Sequence, residues 1–377
     1  MKFICSKCGN QYGDSDMRWR CVCGGSLTCD FISTFTKEKI RQDRYSMWRY
    51  EGAYPLHYED VSISFQEGFT PLVAIRAKGC QVRVKMEQLM PTGSFKDRGT
   101  VMVVNYLNMH GVDMITEDSS GNAGASVAGY CALGGIPCEI YVPKGNSAGK
   151  LTQIRAYGAV IHEIEGSRDA VALAAQQNSE SYAGHNWHPM FIQGTKSLAY
   201  ELWEQNGFKA PDNIVAAAGN GSAALGLYCG FRELMENGQI DHMPRLFAVQ
   251  AENCNPIYRQ YMGMERKQRY EKTIAEGIAL AGPNKTEQVI TAIKETDGAV
   301  LSVSEEEIAK ALWELASMGI YAEPTSSAAY AGIRRLCRER ILGREDDVVM
   351  IVSGNGLKAG SEIEGLRSFM AGEKKYC

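Results

Sequence analysis

The stretch Pro91-Thr92-Gly93-Ser94-Phe95-Lys96-Asp97-Arg98-Gly99 joins a strand pattern to a helix pattern, and the interpretation of the whole chain starts from it. Before it, residues 81–86 alternate polar and apolar side chains, as a half-buried strand does. After it, residues 100–110 are largely apolar, which predicts a buried helix. Ser94 is predicted to be the helix N-cap, which places Lys96 in the first turn.

The predicted position of Lys96 has a chemical consequence. The positive end of the helix dipole disfavours an ammonium group in the first turn, so a lysine there loses its proton more easily. An amine nucleophile or a Schiff-base lysine needs that property. A solvated surface lysine has the same local pattern, so the assignment depends on the other motifs of the chain.

Strand and helix patterns alternate along the rest of the chain, which predicts an α/β fold with parallel sheets and helices on their faces. The predicted strands cover residues 114–116, 138–142, 159–164, 214–218, 245–250 and 348–352. The predicted helices cover residues 123–133, 148–157, 168–181, 223–237, 305–318 and 326–338. The polar residues 262–295 are predicted to form a peripheral excursion.

Size and composition are those of an ordinary globular protein. The 377 residues allow two domains, and 45% of them are hydrophobic and 22% charged. A formal net charge of −4 is too small to indicate a nucleic-acid or membrane-surface partner, and no apolar run reaches the length of a membrane span. The first residues lack a signal-peptide pattern, and most cysteines lie singly in apolar stretches, so we expect a cytoplasmic protein with reduced thiols.

The first thirty residues carry two close cysteine pairs, Cys5 with Cys8 and Cys21 with Cys23. Two such pairs on short turns can supply four thiolates to one zinc ion, so the spacing predicts a zinc-ribbon-like segment. The second pair is C-x-C rather than C-x-x-C, and Cys29 is an alternative ligand. Two interpretations stay open here: a structural zinc site, and a vestigial ribbon whose thiols are merely reduced.

Three predicted strand-to-helix junctions combine glycine with small hydroxyl or amide residues. At such junctions the N–H groups of a helix start bind anions beyond the carboxyl ends of the strands. The loop Gly219-Asn220-Gly221-Ser222, which leads to Ala223, suits a phosphate. The loop Ser119-Ser120-Gly121-Asn122, which leads to Ala123, suits a carboxylate, and a third loop begins at Ser353. Each loop alone also has the pattern of a helix N-cap turn.

A lysine at a helix start, a phosphate loop and a second anion loop are together what a pyridoxal phosphate enzyme acting on an amino acid requires. The sequence has no G-x4-G-K-[ST] motif, and no G-x-G-x-x-G motif follows a predicted strand. These absences argue against a P-loop and a dinucleotide site.

In this order, PTGSFKDRG, SSGNAGAS, GNGS, EPTSSAAYAG and SGNGLK resemble the motifs of the threonine synthases, in the tryptophan-synthase-β (fold type II) family of pyridoxal phosphate enzymes. The resemblance spans about residues 65–360. It implies two doubly wound parallel-sheet domains behind a small N-terminal zinc-ribbon-like segment. The expected boundaries are 1–30 for the ribbon, 31–105 with 190–377 for a large cofactor-binding domain, and 106–189 for a smaller α/β domain.

The resemblance also implies roles for single residues. Lys96 matches the Schiff-base lysine, and Asn122 matches the asparagine that bonds the 3′-oxygen of the cofactor. The cofactor-phosphate loop is matched by Gly219, Asn220, Gly221, Ser222 and Ala223. Ser353 matches the hydroxyl residue that faces the pyridine nitrogen, and a neutral hydroxyl there implies a nitrogen that is less fully protonated.

The site carries two departures from the family, of which the first is that the loop reads Ser119-Ser120-Gly121-Asn122 where threonine synthases often have Thr before the Gly, and the second lies at Phe191. The expected substrate-binding residues are Ser119, Ser120, Asn122, Ala123 and Lys150, where Lys150 is either a phosphate partner or a solvated helix lysine. Similar threonine synthases often have an arginine at or near the position of Phe191 to hold the substrate phosphate. The leaving group therefore stays open.

One further feature, the role of Glu323, stays open as well. For Glu323, helix capping and lining of the site are equally weighted interpretations. For His185 and His188, a structural role is expected.

The implied activity is a threonine synthase-like lyase that converts O-phospho-L-homoserine and water to L-threonine and phosphate. The alternative is a pyridoxal phosphate-dependent β-replacement or ammonia-lyase reaction on a serine, phosphoserine or threonine derivative, as in cysteate synthase. A non-catalytic relative is a third hypothesis, which the intact Lys96 and both anion loops oppose. The family also implies that the protein is a homodimer and that it binds a small amino-acid substrate.

Overall fold

The computed structural model describes residues 1–77, 80–145, 148–166, 168–177 and 181–370. The strands are β1 (Lys2–Cys5), β2 (Gln11–Gly13), β3 (Leu27–Asp30), β4 (Leu72–Ile75), β5 (Gln81–Lys85), β6 (Ile115–Glu117), β7 (Cys138–Pro143), β8 (Val160–Ile164), β9 (Asn213–Ala217), β10 (Arg245–Ala251), β11 (Ala299–Val303) and β12 (Asp347–Ile351). The helices are α1 (Lys96–Met109), α2 (Asn122–Gly134), α3 (Ala148–Ala156), α4 (Arg168–Ala175), α5 (Met190–Thr195), α6 (Ser197–Gln205), α7 (Ser222–Glu236), α8 (Pro256–Tyr261), α9 (Thr286–Glu295), α10 (Glu305–Ser317), α11 (Pro324–Arg338) and α12 (Gly360–Met370). Within the described part of the chain, no helix has both the length and the apolar character needed to cross a membrane.

The chain forms two compact units. The first comprises Met1–Phe69, Met90–Tyr200 and Glu236–Gln239, and the second comprises Thr70–Leu89, Glu201–Met235 and the described residues of Ile240–Cys377. This division places α1 with the smaller sheet, because α1 packs against α2 and α5. The domain boundaries expected from the sequence stay a prediction.

The first unit contains two three-stranded sheets. An antiparallel sheet with the order β2-β1-β3 forms the N-terminal ribbon, and a parallel sheet with the order β6-β7-β8 follows α1. Aromatic side chains attach the ribbon to the same unit: the Trp19 ring meets Tyr182 edge-on at 4.7 Å, and Phe3 meets Tyr106 at 5.7 Å between centroids. The ribbon is therefore part of the packing of this unit.

The second unit is built on a six-stranded sheet with the order β11-β10-β9-β12-β5-β4. All neighbours are parallel except β4, which pairs antiparallel with β5. Because β9 and β12 are adjacent and parallel, the loops that follow them emerge at the same edge of the sheet. Residues 219–223, the predicted phosphate loop, follow β9, and Ser353 follows β12.

Three predictions from the sequence are wrong. The N-cap of α1 is Phe95, which already has helical backbone angles, and the Ser94 hydroxyl is buried with no hydrogen-bond partner among the described residues. Residues 286–295 form α9, because Val289 and Ile293 make a buried stripe that packs on β10 and β11. The helix predicted over 168–181 ends at Ala175 in α4. Lys96 does begin α1, as expected.

Candidate active site

The turn before α1 is held by the residue after Lys96. The buried Asp97 carboxylate accepts hydrogen bonds from the Thr92 backbone N–H at 2.8 Å and from Ser126 Oγ of α2 at 2.6 Å, and the Thr92 hydroxyl bonds it as well. The buried Arg98 donates from Nη1 to Ser197 Oγ at 2.8 Å. These contacts fix the start of α1 and thus the backbone of Lys96. No local pattern in the sequence indicates these roles, since Ser126 and Ser197, which bond Asp97 and Arg98, lie on other elements.

The Lys96 amine lies beside two aromatic rings. Its Nζ is 4.9 Å from the ring centroid of Phe95 and 5.5 Å from that of Phe191. Phe191 is buried and packs against α1 so closely that a Cβ added at Gly99 would lie 2.5 Å from its ring. The residue in the position of the expected arginine is therefore a packed hydrophobic neighbour of Lys96.

A buried carboxylate and imidazole meet at the end of β6. Glu117 Oε1 lies 2.9 Å from His185 Nδ1, and the His185 backbone N–H donates to Glu117 Oε2 at 3.1 Å. The chain brings them together because residues 181–183 run parallel to β6. The Thr116 backbone N–H donates to the Ser181 carbonyl, and the Ala183 backbone N–H donates to the Thr116 carbonyl. A structural role was expected for His185, and no sequence pattern singles out Glu117.

Burial dominates the electrostatics of this pair. It raises the pKa of Glu117 to about 7 from an ordinary 4.5, against smaller opposing effects of the His185 N–H and the charges of Lys96 and Arg168. Burial, aided by the charge of Lys96, lowers the pKa of His185 well below 6.5. Burial and the neighbouring Glu117 raise the pKa of Asp118, whose carboxylate accepts a bond from Tyr182 at 2.8 Å. Near neutral pH His185 is therefore an uncharged imidazole, and the Glu117 carboxyl group is close to the midpoint of its titration.

The predicted carboxylate loop leads directly into α2. Ser119 Oγ accepts a bond from the Gly121 backbone N–H at 3.2 Å, and α2 begins at Asn122. A Cβ at Gly124 would lie 1.8 Å from the Ser119 carbonyl oxygen, so only glycine permits this close packing of loop and helix. The N-cap residue Gly121 supplies no side-chain cap to α2. The first-turn N–H groups of α2, including that of Ala123, lie at the positive end of the helix dipole, which is the property that an anion site needs.

The predicted phosphate loop joins β9 to α7 in the second unit. Gly221 has φ +81°, and a Cβ there would lie 2.3 Å from Val289 of α9. Asn220 Oδ1 accepts a bond from the Asn284 backbone N–H at 3.0 Å, which anchors the loop from its other side. Ser222 and Ala223 then open the 15-residue helix α7, whose dipole favours an anion at this end.

Ser353 follows β12 and is bonded to two neighbours on another element. Its hydroxyl lies 3.1 Å from Glu323 Oε1 and 3.0 Å from Ser326 Oγ. Glu323 is the N-cap residue of α11, but its side chain makes no cap hydrogen bond. Of the two interpretations of Glu323, capping is therefore excluded, and its carboxylate instead contacts Ser353.

The four paired cysteines of the ribbon converge. The sulfur atoms of Cys5, Cys8, Cys21 and Cys23 all lie within 4.8 Å of one another. The Sγ–Sγ distances are 3.5 Å for Cys5 with Cys23 and 3.6 Å for Cys8 with Cys21. Cys29 lies on β3 and is not part of this cluster.

The two compact units divide the predicted site residues between them. The first unit holds Lys96, Ser119, Ser120, Asn122 and Ala123, and the second holds Ser353 and the loop 219–223. Lys150 lies on α3, but its side chain falls outside the described residues, so the structure adds nothing on its predicted role.

Comparison with known proteins agrees with this arrangement of motifs. Residues 63–354 match the family described as pyridoxal-phosphate dependent enzyme. Threonine synthase from Methanocaldococcus jannaschii is 32% identical, with 94% of this chain and 92% of that protein covered. Threonine synthase from Methanosarcina acetivorans is 34% identical, with 94% of this chain and 91% of that protein covered.

Solved structures share the architecture at lower identity. An L-serine ammonia-lyase from Rhizomucor miehei matches with a TM-score of 0.68 at 22% identity, covering 82% of this chain and 98% of that one. The processed form of threonine deaminase isoform 2 from Solanum lycopersicum matches with a TM-score of 0.68 at 18% identity, covering 90% and 91%. At these identities the likeness shows the fold, and it confirms the α/β class expected from the sequence.

Proposed function

The chain belongs to the pyridoxal-phosphate dependent enzymes of fold type II, within their threonine synthase group, and from this premise we propose that it converts O-phospho-L-homoserine and water to L-threonine and phosphate. The family identifies a lyase that uses pyridoxal phosphate. The observation that carries the finer proposal is Lys96 at the first turn of α1, in the same compact unit as the start of α2 at Asn122.

The residues of this chain fit the cofactor. The left-handed Gly221 and the absence of a side chain at Gly219, where a Cβ would lie 3.1 Å from Ile278, leave a backbone cradle at the start of α7. Such a cradle suits a phosphate group. We propose that residues 219–223 hold the cofactor phosphate, that Ser353 faces its pyridine nitrogen and that Asn122 bonds its 3′-oxygen.

When bound, pyridoxal phosphate supplies an electron sink for the carbanion chemistry of the amino acid. Lys96 is the residue that would carry the cofactor and then move protons at the α- and β-carbons of the substrate. The N–H groups at the start of α2, with Ser119 and Ser120, would hold the substrate carboxylate and orient the Cα–H bond. In the net reaction, the bond from the γ-carbon to the phosphate oxygen breaks, the β-carbon loses one proton and the γ-carbon gains one, and water adds its hydroxyl at the β-carbon while its remaining proton goes to the phosphate.

Lys150 is retained as a partner of the substrate phosphate. This assignment rests on the positive charge of Lys150 and on its position in α3. With Phe191 where an arginine is expected, Lys150 and backbone donors would supply the positive field for the leaving group.

We also propose a structural zinc ion in the ribbon. Four sulfurs about 2.3 Å from one tetrahedral zinc ion lie about 3.8 Å apart. The distances of 3.5 and 3.6 Å within the cluster fit that geometry. Gly25 is fitted to the cluster as well, since a Cβ there would lie 2.7 Å from the Cys5 sulfur. With four protein thiolates the ion would contribute to folding and not to catalysis.

One observation favours a second candidate function. The buried Phe191 ring beside Lys96 adds no positive charge for a substrate phosphate. A β-replacement or ammonia-lyase reaction on a serine, phosphoserine or threonine derivative needs less phosphate recognition at that position. The two candidates differ in the leaving group and in the substrate carbon from which it departs.

One assay separates these candidates. Purified protein loaded with pyridoxal phosphate is supplied in parallel with O-phosphohomoserine, phosphoserine, serine and threonine, and phosphate, ammonia and amino-acid products are measured. Equimolar phosphate and threonine from O-phosphohomoserine support the proposal. Turnover of a serine or threonine derivative, with none of O-phosphohomoserine, moves the protein to the second candidate.

The assembly and location of the enzyme follow from its family. We propose a cytoplasmic homodimer, as the resemblance to threonine synthases implies. Sedimentation equilibrium at several protein concentrations tests the dimer, and a mass equal to the 41.5 kDa chain would contradict it.

A further inference from the structure

Lys285 lies in a segment that packs against the predicted phosphate loop. The residue before it, Asn284, donates its backbone N–H to Asn220 Oδ1 of the loop at 3.0 Å. Four residues after Lys285, Val289 lies where a Cβ at Gly221 would approach it to 2.3 Å. Lys285 stands between these contacts as the N-cap residue of α9, and its carbonyl accepts the Val289 backbone N–H at 3.0 Å. Its backbone is therefore fixed beside the loop from both sides.

The Lys285 side chain is buried, although lysine side chains are mostly exposed. Its exposed fraction is 3%. Among the described residues, no hydrogen bond and no ion pair is recorded for its amine, and the one ionisable group whose charge acts on it is the thiol of Cys229. Cys229 belongs to α7, the helix that the phosphate loop opens. The amine therefore lies near that helix.

Burial determines what this amine requires from its surroundings. It lowers the pKa of Lys285 to about 8 from an ordinary 10.5, against a smaller opposing effect of Cys229. At neutral pH the amine therefore still carries its proton. A buried ammonium needs an anion to compensate for its lost hydration, and no carboxylate of the described residues acts on this one. The charge thus indicates an anion that the described part of the chain does not supply.

Another buried lysine shows how this fold satisfies an ammonium internally. The Lys85 amine donates to the Thr70 carbonyl at 2.7 Å, to Glu201 Oε2 at 2.7 Å and to Gln205 Oε1 at 2.9 Å. These contacts use all three protons of the ammonium, and the carboxylate compensates its charge. Lys285 has no such set of partners among the described residues, which distinguishes it from a lysine with a purely structural role.

We infer that the Lys285 ammonium binds the phosphate group held by the phosphate loop, and that this group is the phosphate of the cofactor. The inference rests on the proposed function, which assigns the cofactor phosphate to residues 219–223. The start of α7 supplies only a partial positive charge, whereas a phosphate monoester carries about 1.5 to 2 negative charges at pH 7. Lysine binds phosphate as a compact charge with three donors, so Lys285 supplies the missing compensation.

A cofactor without its phosphate tests this contact directly. The cofactor-free full chain is titrated with pyridoxal phosphate and with pyridoxal, for wild type, Lys285→Met and Lys294→Met. Lys285→Met removes the charge and keeps an unbranched side chain that tolerates burial. Lys294 is exposed in the last turn of the same helix and is the matched control. Thermal unfolding of each cofactor-free protein shows whether it is folded.

The phosphate of the substrate has the same chemistry as that of the cofactor, so a second measurement separates the two sources. Each protein is loaded with saturating pyridoxal phosphate, and KM is measured for every phosphorylated and unphosphorylated substrate that turns over. A contact with the substrate phosphate changes KM for phosphorylated substrates alone.

We expect Lys285→Met to weaken the binding of pyridoxal phosphate about ten- to a hundred-fold and to leave the binding of pyridoxal unchanged. Lys294→Met should bind both compounds as wild type does. The melting temperature of cofactor-free Lys285→Met should equal or exceed that of wild type, because a buried charge without a partner is removed.

Unchanged affinity of Lys285→Met for pyridoxal phosphate overturns the inference and leaves the proposed function intact. If KM then rises for phosphorylated substrates alone, Lys285 belongs to the substrate phosphate instead. An equal loss of affinity for pyridoxal, or a cofactor-free variant that no longer unfolds cooperatively, identifies a structural role and also overturns the inference. A wild-type protein that binds no pyridoxal phosphate refutes the proposed function, and the inference falls with it.

Discussion

Glu117 Oε1 and His185 Nδ1 lie 2.9 Å apart although 68 residues separate them in the chain. They form a buried acid–base pair in the same unit as Lys96, whose charge acts on both. A proton on Glu117 makes His185 Nδ1 an acceptor, whereas an ionised Glu117 makes it a donor. The tautomer of the imidazole is thus linked to the protonation of the carboxyl group.

This pair predicts how stability depends on pH. Since burial raises the folded-state pKa of Glu117 from 4.5 to about 7, its contribution is fully present below about 4.5 and is lost as the pH rises through 7. The lowered pKa of His185 has the opposite effect on stability, since it reduces stability as the pH falls below about 6.5. Both wild type and variant contain His185, so this effect is common to them. Between about pH 5 and pH 8, the stability of wild type relative to Glu117→Gln should fall by roughly 2–3 kcal/mol.

Urea unfolding of both proteins at several pH values measures this difference. Glu163→Gln is the matched control, because Glu163 is exposed on β8. A difference between wild type and Glu117→Gln that stays constant with pH would contradict the raised pKa.

Much of the fold could be predicted because periodic patterns report burial directly. The strands from β5 to β10 and β12, and the helices α1, α2, α3, α7, α10 and α11, lie near their predicted positions, whereas α5, α6 and α8 were not predicted. Helix α9 was missed, since only three of its ten residues, Val289, Ala292 and Ile293, are buried and the rest resemble a polar loop. β11 was also not predicted. It is a strand of five residues, and the elements that bury it lie elsewhere in the chain.

The candidate site was predictable where one short motif carries the chemistry, and was missed where two distant residues share it. The loop of Gly219 to Ala223 has its anion-binding features in adjacent residues. The hydrogen bond from Ser353 to Glu323 joins residues 30 positions apart, and no local sequence pattern indicates it. The predicted N-cap of α1 was wrong. Serine is a residue type that often caps helices, but Phe95 rather than Ser94 occupies the N-cap position of the backbone.

Metal analysis should find one zinc ion per chain in protein purified without chelator. Cys21→Ser should lower that content and the melting temperature, because the ribbon carries Trp19, which packs on Tyr182 of the first unit. Cys29→Ser is the matched control, since Cys29 lies outside the four-sulfur cluster. Zinc content far below one equivalent in the wild type, with freely titratable thiols, would favour the vestigial ribbon.

Gly99→Ala should destabilise the protein by about 1–2 kcal/mol, because the new methyl group meets the buried Phe191 ring at 2.5 Å and outweighs the gain in helix propensity. Adding Phe191→Leu should recover part of that loss by making room for the methyl group. Gly360→Ala, where a Cβ meets open space, is the control. Denaturant unfolding measures all four proteins, and an unaltered Gly99→Ala midpoint would contradict this packing.

Lys96→Ala should abolish the visible absorption of the lysine-bound cofactor and all turnover. Lys144→Ala is the matched control, because Lys144 is an exposed lysine that pairs with Glu165. Borohydride reduction followed by peptide mapping identifies the modified lysine. A reduced cofactor adduct on a lysine of the Lys96→Ala protein would show that the assignment is wrong.

Ser120→Ala should lower kcat/KM about ten- to a hundred-fold while cofactor affinity stays unchanged, because a lost charge-assisted hydrogen bond is worth roughly 1.5–3 kcal/mol. The cofactor phosphate is assigned to the loop 219–223, on the other unit, so the two effects separate. Since every amino-acid substrate has the same α-carboxylate, the loss should be similar for phosphorylated and unphosphorylated substrates. Steady-state kinetics with each active substrate, beside cofactor titration, test this. A loss confined to phosphorylated substrates would instead assign Ser120 to the leaving group, and an unchanged kcat/KM would remove it from the site.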